Sequence, residues 1–239
     1  MQEQARRGFA PSDVREFSAE RLPLLRRAQG DLVCLLNRGY EVGHCTAFVG
    51  DHYQLSSRQR MALMRATASD WDLEARWERE RRELPAGETI RIDGFNLIIP
   101  LEIALCKGTL LLCMDGVVRD IAGLHGSYRM IAETDEAIRL IGSALKRRRV
   151  AAAEFYFDAP VSNAGRLAQR VRELLAEEPF AVSSHTEPHV DGLLARQENA
   201  ATGDSVILGR CKSWVNLGRA ILRESMPDCP FVDLSRPEG

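Results

Sequence analysis

The sequence predicts an α/β fold, a mostly parallel sheet flanked by helices, preceded by an all-helical N-terminal region. Three observations carry that prediction. From Ser12 to about Arg82 the apolar residues recur at helical spacing. After Pro85-Ala86-Gly87, a breaker-rich linker, short apolar runs begin to alternate with amphipathic stretches of helix length. Strands separated by helices pair in parallel, because a crossover returns each strand to the same end of the sheet, and such sheets are covered on both faces. The linker divides the chain into a helical region over residues 1–86 and an α/β domain over residues 87–239.

The elements follow in order. Ser12 and Asp13 can cap a first helix running through Phe17 and Leu22, broken or restarted at Pro23. Leu32, Leu35 and Leu36 mark a second, ending near Gly39, and Cys45, Phe48 and Val49 a third between Glu41 and Tyr53. Ser56 and Ser57 open a fourth, whose exposed face offers Arg58, Arg60 and Arg65, and a charge-rich fifth spans Trp71 to Glu83. Glu88 to Ile99 then reads as a buried strand and a turn, Leu101 to Cys106 as a helix closed by Gly108, and Thr109 to Met114 as a second strand. A glycine-containing stretch from Asp115 to Arg129 leads into a helix over 134–149. Val150 to Phe157 is a strand, Asn163 to Glu177 an amphipathic helix, and Phe180 to Ser183 and Ser205 to Leu208 complete the strands.

Composition narrows the function classes. With 45% hydrophobic and 28% charged residues the chain is an ordinary globular protein, and a net charge of −2 supplies no global field toward nucleic acid or membranes. Nucleic-acid contact would have to come from local basic patches. No apolar run approaches spanning length and the first residues carry no apolar leader core, which predicts a cytoplasmic protein without a membrane partner. The six cysteines form no CxxC pair and the five histidines, His125 among them, show no ligand spacing with them; buried thiols in a reducing compartment are the expectation, not zinc.

Ligands of open parallel sheets bind beyond the carboxyl ends of the strands. Aspartates recur there: Asp93 with Asn96, Asp115 and Asp120, Asp158, Asp191 and Asp204. Clustered carboxylates repel unless a cation neutralises them, so the pattern suggests a hard divalent metal with oxygen ligands. Each aspartate alone is more often a turn residue or helix cap, and Asp191 and Asp204 look like caps. Asp93 and Asp158 are different, because both stand against apolar runs where an unpaired carboxylate is costly to bury.

Ile92-Asp93-Gly94-Phe95-Asn96-Leu97-Ile98 resembles the opening strand of NYN nucleases, a branch of the PIN-like superfamily. Phe155-Tyr156-Phe157-Asp158 is similar to that family's next aspartate-ended strand, the segment from Glu187 to Leu194 to its site-lining helix, and Ala201-Thr202-Gly203-Asp204-Ser205 to its Thr-Ser-Asp element. The order also agrees, although a strand and a loop stand between the first two elements where the family has helices. The resemblance implies Mg²⁺ or Mn²⁺ held by Asp93, Asp158, Asp191 and Asp204, with Asp93, Asn96, Asp158 and Asp204 as the catalytic set. It implies phosphodiester hydrolysis on RNA or another single-stranded nucleic acid, RNA before DNA. Backbone contacts would come from Arg166, from Arg58, Arg60 and Arg65, and from Lys146 to Arg149, although that last run equally suits a solvated helix C-terminus. The whole chain also resembles a prokaryotic family of unknown function, through Phe48 to Leu55 with Arg58-Gln59-Arg60 and through Asp115 to Asp120.

Two other readings compete. Leu111 to Asp120 is similar to the first motif of haloacid-dehalogenase phosphatases, but the nucleophile position holds Cys113, a thiol that neither ligates Mg²⁺ well nor forms an acyl phosphate. A non-catalytic nucleotide or nucleic-acid binder would use Ser162, Asn163 and Arg166 at a helix start to receive a phosphate. The sequence leaves oligomeric state open, a homo-oligomer included.

Overall fold

The computed structural model describes residues 7–123 and 126–237; the first residues, on which the expectation of no leader rests, and His125 lie outside the described residues. The chain opens with α1 (Asp13–Glu16), α2 (Leu22–Leu36), α3 (Val42–His52), α4 (Ser57–Ala66) and α5 (Asp70–Arg79). Pro23 sits in the first turn of α2, where its missing N–H breaks no bond, so the two helices expected on either side of it are a stub and one continuous helix. The Ser56 hydroxyl accepts from the Gln59 N–H while the Gln59 side chain accepts from the Ser56 N–H, a complete capping box that fixes the start of α4.

Downstream come β1 (Thr89–Asp93), α6 (Gly94–Leu105), β2 (Leu110–Leu112), β3 (Val118–Asp120), α7 (Thr134–Arg147), β4 (Ala152–Asp158) and α8 (Ala164–Leu174). They are followed by β5 (Ala181–Glu187), α9 (Val190–Leu194), β6 (Ala200–Ala201), α10 (Ser205–Leu208), α11 (Leu217–Ser225) and β7 (Val232–Asp233). The main sheet has the order β5-β4-β1-β6, and its pairs are all parallel. In β4, Ala153, Phe155 and Phe157 are fully buried while Glu154, Tyr156 and Asp158 turn to the half-covered face. Ile90 and Ile92 of β1 and the apolar sides of α6, α7, α8 and α11 complete that core.

Three expectations are corrected. The run from Glu88 to Ile99, read as a strand and a turn, ends its strand at Asp93, and its second half is the start of α6, because the Asp93 carboxylate caps a helix there. The run Thr109 to Met114 does contain a strand, β2, but β2 belongs to a second, small sheet of order β3-β2-β7. Gly116, at φ +77°, turns the chain straight back into the antiparallel β3, so this segment is a hairpin and not a member of the parallel series. Ser205 to Leu208 is the helix α10, not a strand: the Asp204 carboxylate accepts from the N–H groups of Val206 and Ile207, and Ile207 and Leu208 bury beside Val190, Leu194 and Trp214. The strand that completes the sheet is the two-residue β6 just before it.

The helical region packs on the small sheet. Leu25, Ala28 and Leu32 of α2, Val49 of α3 and Leu63 of α4 share one core cluster with Leu111, Cys113, Ile121 and Leu234. No helix among the described residues is long and apolar enough to cross a membrane.

Candidate acidic site at the sheet switch point

The parallel strands run outward from β1 through β4 to β5, and the next strand, β6, returns to the opposite side of β1. Strand order therefore reverses between β1 and β6, and a crevice opens there beyond the strand ends. Asp93 is the last residue of β1 and also the N-cap of α6. Its carboxylate accepts from the Asn96 N–H (3.3 Å), the Asn96 side-chain amide (2.7 Å) and the Thr202 hydroxyl (2.8 Å), the last reaching across the crevice from the end of β6. Helix α6 can start this abruptly because residue 94 is glycine: a Cβ there would overlap the Phe157 ring.

Burial dominates the electrostatics. Asp93 is 1% exposed. Desolvation pushes its carboxyl up to about 7, against the downward pull of Asn96 and Thr202, and the charge of Asp204 adds to the rise. Asp158, the last residue of β4, is also raised, by burial first and then by Asp204, against a bond from the Val190 N–H. Asp191 in α9 is raised by desolvation, by Asp204 and by Asp158. Asp204 caps α10 through its bonds from Val206 (2.7 Å) and Ile207 (3.1 Å). Of the four aspartates expected from the sequence, Asp204 is felt by the other three, and Asp158 by Asp191.

Among the described residues no three His, Cys, Asp or Glu side chains are arranged to hold a metal ion. A closed cage of the zinc kind therefore does not fit. The donor set fits a hydrated hard cation instead, since Mg²⁺ keeps several waters and is commonly held by one or two carboxylates plus a substrate phosphate. A cleft of about 280 Å³ is lined by Asn96, Asp204 and Ser205 together with Val42, Met64 and Arg65 of the helical region, so that Asp204 is the member of the four aspartates on its wall.

The other expected contacts are placed differently. Arg58, Arg60 and Arg65 do not form a free basic face: they pair with Asp13, Asp51 and Asp120. Lys146 pairs with Glu178, and Arg147 and Arg148 with Glu224, as suits a helix terminus. Ser162 accepts from the Tyr128 N–H and donates to its carbonyl, and Asn163 donates to that same carbonyl (2.7 Å), so both fasten the preceding loop to the start of α8. Arg166 remains exposed on α8. The phosphatase-like segment is closed. Cys113 is fully buried, and burial pushes its thiol up to about 11. Asp115 is buried too, but Arg119 and Arg76 outweigh that burial and hold its carboxyl below the usual range.

Sequence reasoning did not single out Thr202 as a donor to Asp93, nor Arg119 and Arg76. Thr202 had a signal, since it stands inside the Ala201-Thr202-Gly203-Asp204 string; the arginines had none.

Comparison with known proteins places this architecture among uncharacterised relatives. Residues 83–220 match the family described as "Domain of unknown function (DUF5616)", and residues 24–79 match "Protein of unknown function (DUF434)". The chain is 36% identical over 187 residues to "Uncharacterized protein MJ0935" of Methanocaldococcus jannaschii, an alignment covering 77% of this chain and 88% of that one. No solved structure matches.

Proposed function

For a chain that belongs to the family described as Domain of unknown function (DUF5616), we propose a divalent-cation-dependent phosphodiesterase, a nuclease acting on RNA in preference to DNA. The observation that carries the reading is the buried Asp93 at the end of β1, bonded to Thr202 beside the strand-order reversal, with the charge of Asp204 raising the carboxyls of Asp93, Asp158 and Asp191. Such crowding of like charge is unfavourable by itself and is relieved by a cation. The strand order, the β1 aspartate capping the next helix and the threonine two residues before Asp204 also support a PIN-like kinship.

One or two of Asp158, Asp191 and Asp204 would hold Mg²⁺ or Mn²⁺, which would keep most of its waters. Such a cation, when bound, lowers the pKa of a coordinated water and neutralises charge developing on a phosphoryl oxygen. Asp93 is the buried member, and its raised carboxyl would be brought to the ionised form by a cation nearby. Asn96 orients that carboxyl through two bonds and, being exposed, keeps its own carbonyl at the cleft. Val42 and Met64 supply apolar surface for a base beside the phosphate.

The test is incubation of end-labelled RNA and single-stranded DNA with Mg²⁺ or Mn²⁺, comparing the wild type with Asp93→Asn. Loss of cation-dependent cleavage in the variant is the expected outcome. Equal cleavage by both proteins, or none by either, would overturn the reading.

A further inference from the structure

We propose that Arg119 is a positioning residue for the acidic crevice: it holds the Thr202–Asp204 turn by the Gly203 carbonyl, and Arg76 of the helical region completes the hold through Asp115. The inference rests on the hydrolase reading for what the turn does, and on geometry alone for how the turn is held.

Arg119 lies on β3 and is 8% exposed. Its Nε donates to the Gly203 carbonyl at 2.6 Å, while Nη1 and Nη2 donate to the two oxygens of Asp115 at 2.8 and 2.6 Å. A guanidinium is planar, so bonding along one end and one side fixes the angle between the two acceptors. Asp115 is itself held: it accepts from Arg76 Nη1 at 2.9 Å and from the Val117 N–H at 3.2 Å. Arg76 belongs to α5, whose place is fixed by the Trp214 indole donating to the Arg76 carbonyl at 2.7 Å.

Gly203 joins two residues of the site. The residue before it, Thr202, bonds Asp93, and its hydroxyl also accepts from the Asp204 N–H at 2.9 Å. The residue after it is Asp204, whose charge reaches the other three aspartates. A shift of the Gly203 peptide moves both neighbours together. The chain of contacts Arg76–Asp115–Arg119–Gly203 runs from the segment matched over residues 24–79 into the one matched over 83–220. It ends on the turn that lines the cleft together with Met64 and Arg65 of that first segment. The helical region is thereby part of the site and not an appended module. Buried charge networks of this kind do not guarantee added stability, and fixing one arrangement is their best-attested use.

The experiment compares the wild type with Arg119→Lys and Arg76→Met. Arg119→Lys keeps the charge but loses the fork. The readouts are amide hydrogen exchange, global unfolding, and cleavage kinetics on a labelled RNA oligonucleotide with Mn²⁺. Exchange over residues 202–208 is expected to rise about tenfold in Arg119→Lys while residues 152–158 of β4 stay protected. Arg76→Met is expected to give a smaller rise in the same place, and it decides the matter should Arg119→Lys fail to fold. In Arg119→Lys, kcat should fall while KM stays within about twofold. The proposal is overturned by unchanged exchange over 202–208, by a rise spread evenly through β4, or by unaltered kcat in a variant whose turn has loosened. Local loosening in a protein whose wild type cleaves neither RNA nor DNA would sink the hydrolase reading and leave the positioning role standing.

Discussion

Replacing Asp93 by asparagine removes a titratable group from a site that is 1% exposed and leaves a side chain of nearly the same shape. The wild-type carboxyl rises from 3.8 to about 7 on folding. The folded state therefore holds a proton that the unfolded chain has released, and wild-type stability falls as pH climbs from about 4 to about 7. At about 1.4 kcal/mol per pH unit, the ionised carboxylate costs on the order of 4 kcal/mol above pH 7 and nothing below pH 4. The three donors facing residue 93 are the Asn96 N–H, the Asn96 amide and the Thr202 hydroxyl. An asparagine carbonyl satisfies one, and the Asn96 amide and the hydroxyl can each turn to accept. In urea unfolding without divalent cations, Asp93→Asn should match the wild type below about pH 4 and exceed it by up to about 4 kcal/mol at about pH 8. A variant equal to or less stable than the wild type at pH 8 would refute the argument that burial, and not the hydrogen bonds, sets the state of Asp93.

Two further predictions concern the neighbours of that carboxylate. Thr202→Val leaves one Asp93 oxygen without its donor across the crevice; it should cost about 1–3 kcal/mol at neutral pH and raise the Asp93 carboxyl further, both read from the pH dependence of unfolding. Gly94→Ala places a methyl in the Phe157 ring and should destabilise by about 3 kcal/mol in thermal unfolding, with part of the loss recovered in a double variant carrying Phe157→Leu. An Ala variant of full stability would show that α6 starts farther from β4 than described.

Much of the scaffold was legible because single residues act locally. The alternation through Ala153, Phe155 and Phe157 reads as β4 from the sequence alone, since each buried position repeats the same demand. Ser56 and Gln59 announce the start of α4 by a contact only three residues long. The apolar run Val206-Ile207-Leu208 misled because β propensity is a preference for a packed, pleated surface, and here the Asp204 cap outweighed it. At two residues, β6 is too short to carry any period, and it exists because β1 offers it a parallel edge. The site divides in the same way. Asp93 was visible as a carboxylate against apolar residues, and Asp158 as the end of a strand. The bond from Thr202 to Asp93 spans 109 positions and that from Arg119 to Gly203 spans 84, so both depend on the fold that brings them together. The basic face expected from Arg58, Arg60 and Arg65 vanished for a related reason, because each of those guanidinium groups found an acid on another element or loop.

That Asp93, Asp158, Asp191 and Asp204 form one cation site is the claim on which the proposed chemistry depends. A crystal of the wild-type protein grown with Mn²⁺, measured for anomalous scattering, tests it most directly. The account predicts a manganese peak at the mouth between β1 and β6, in contact with one or two of these carboxylates and otherwise with water. A map with no peak there, or with manganese bound only elsewhere on the surface, would contradict it.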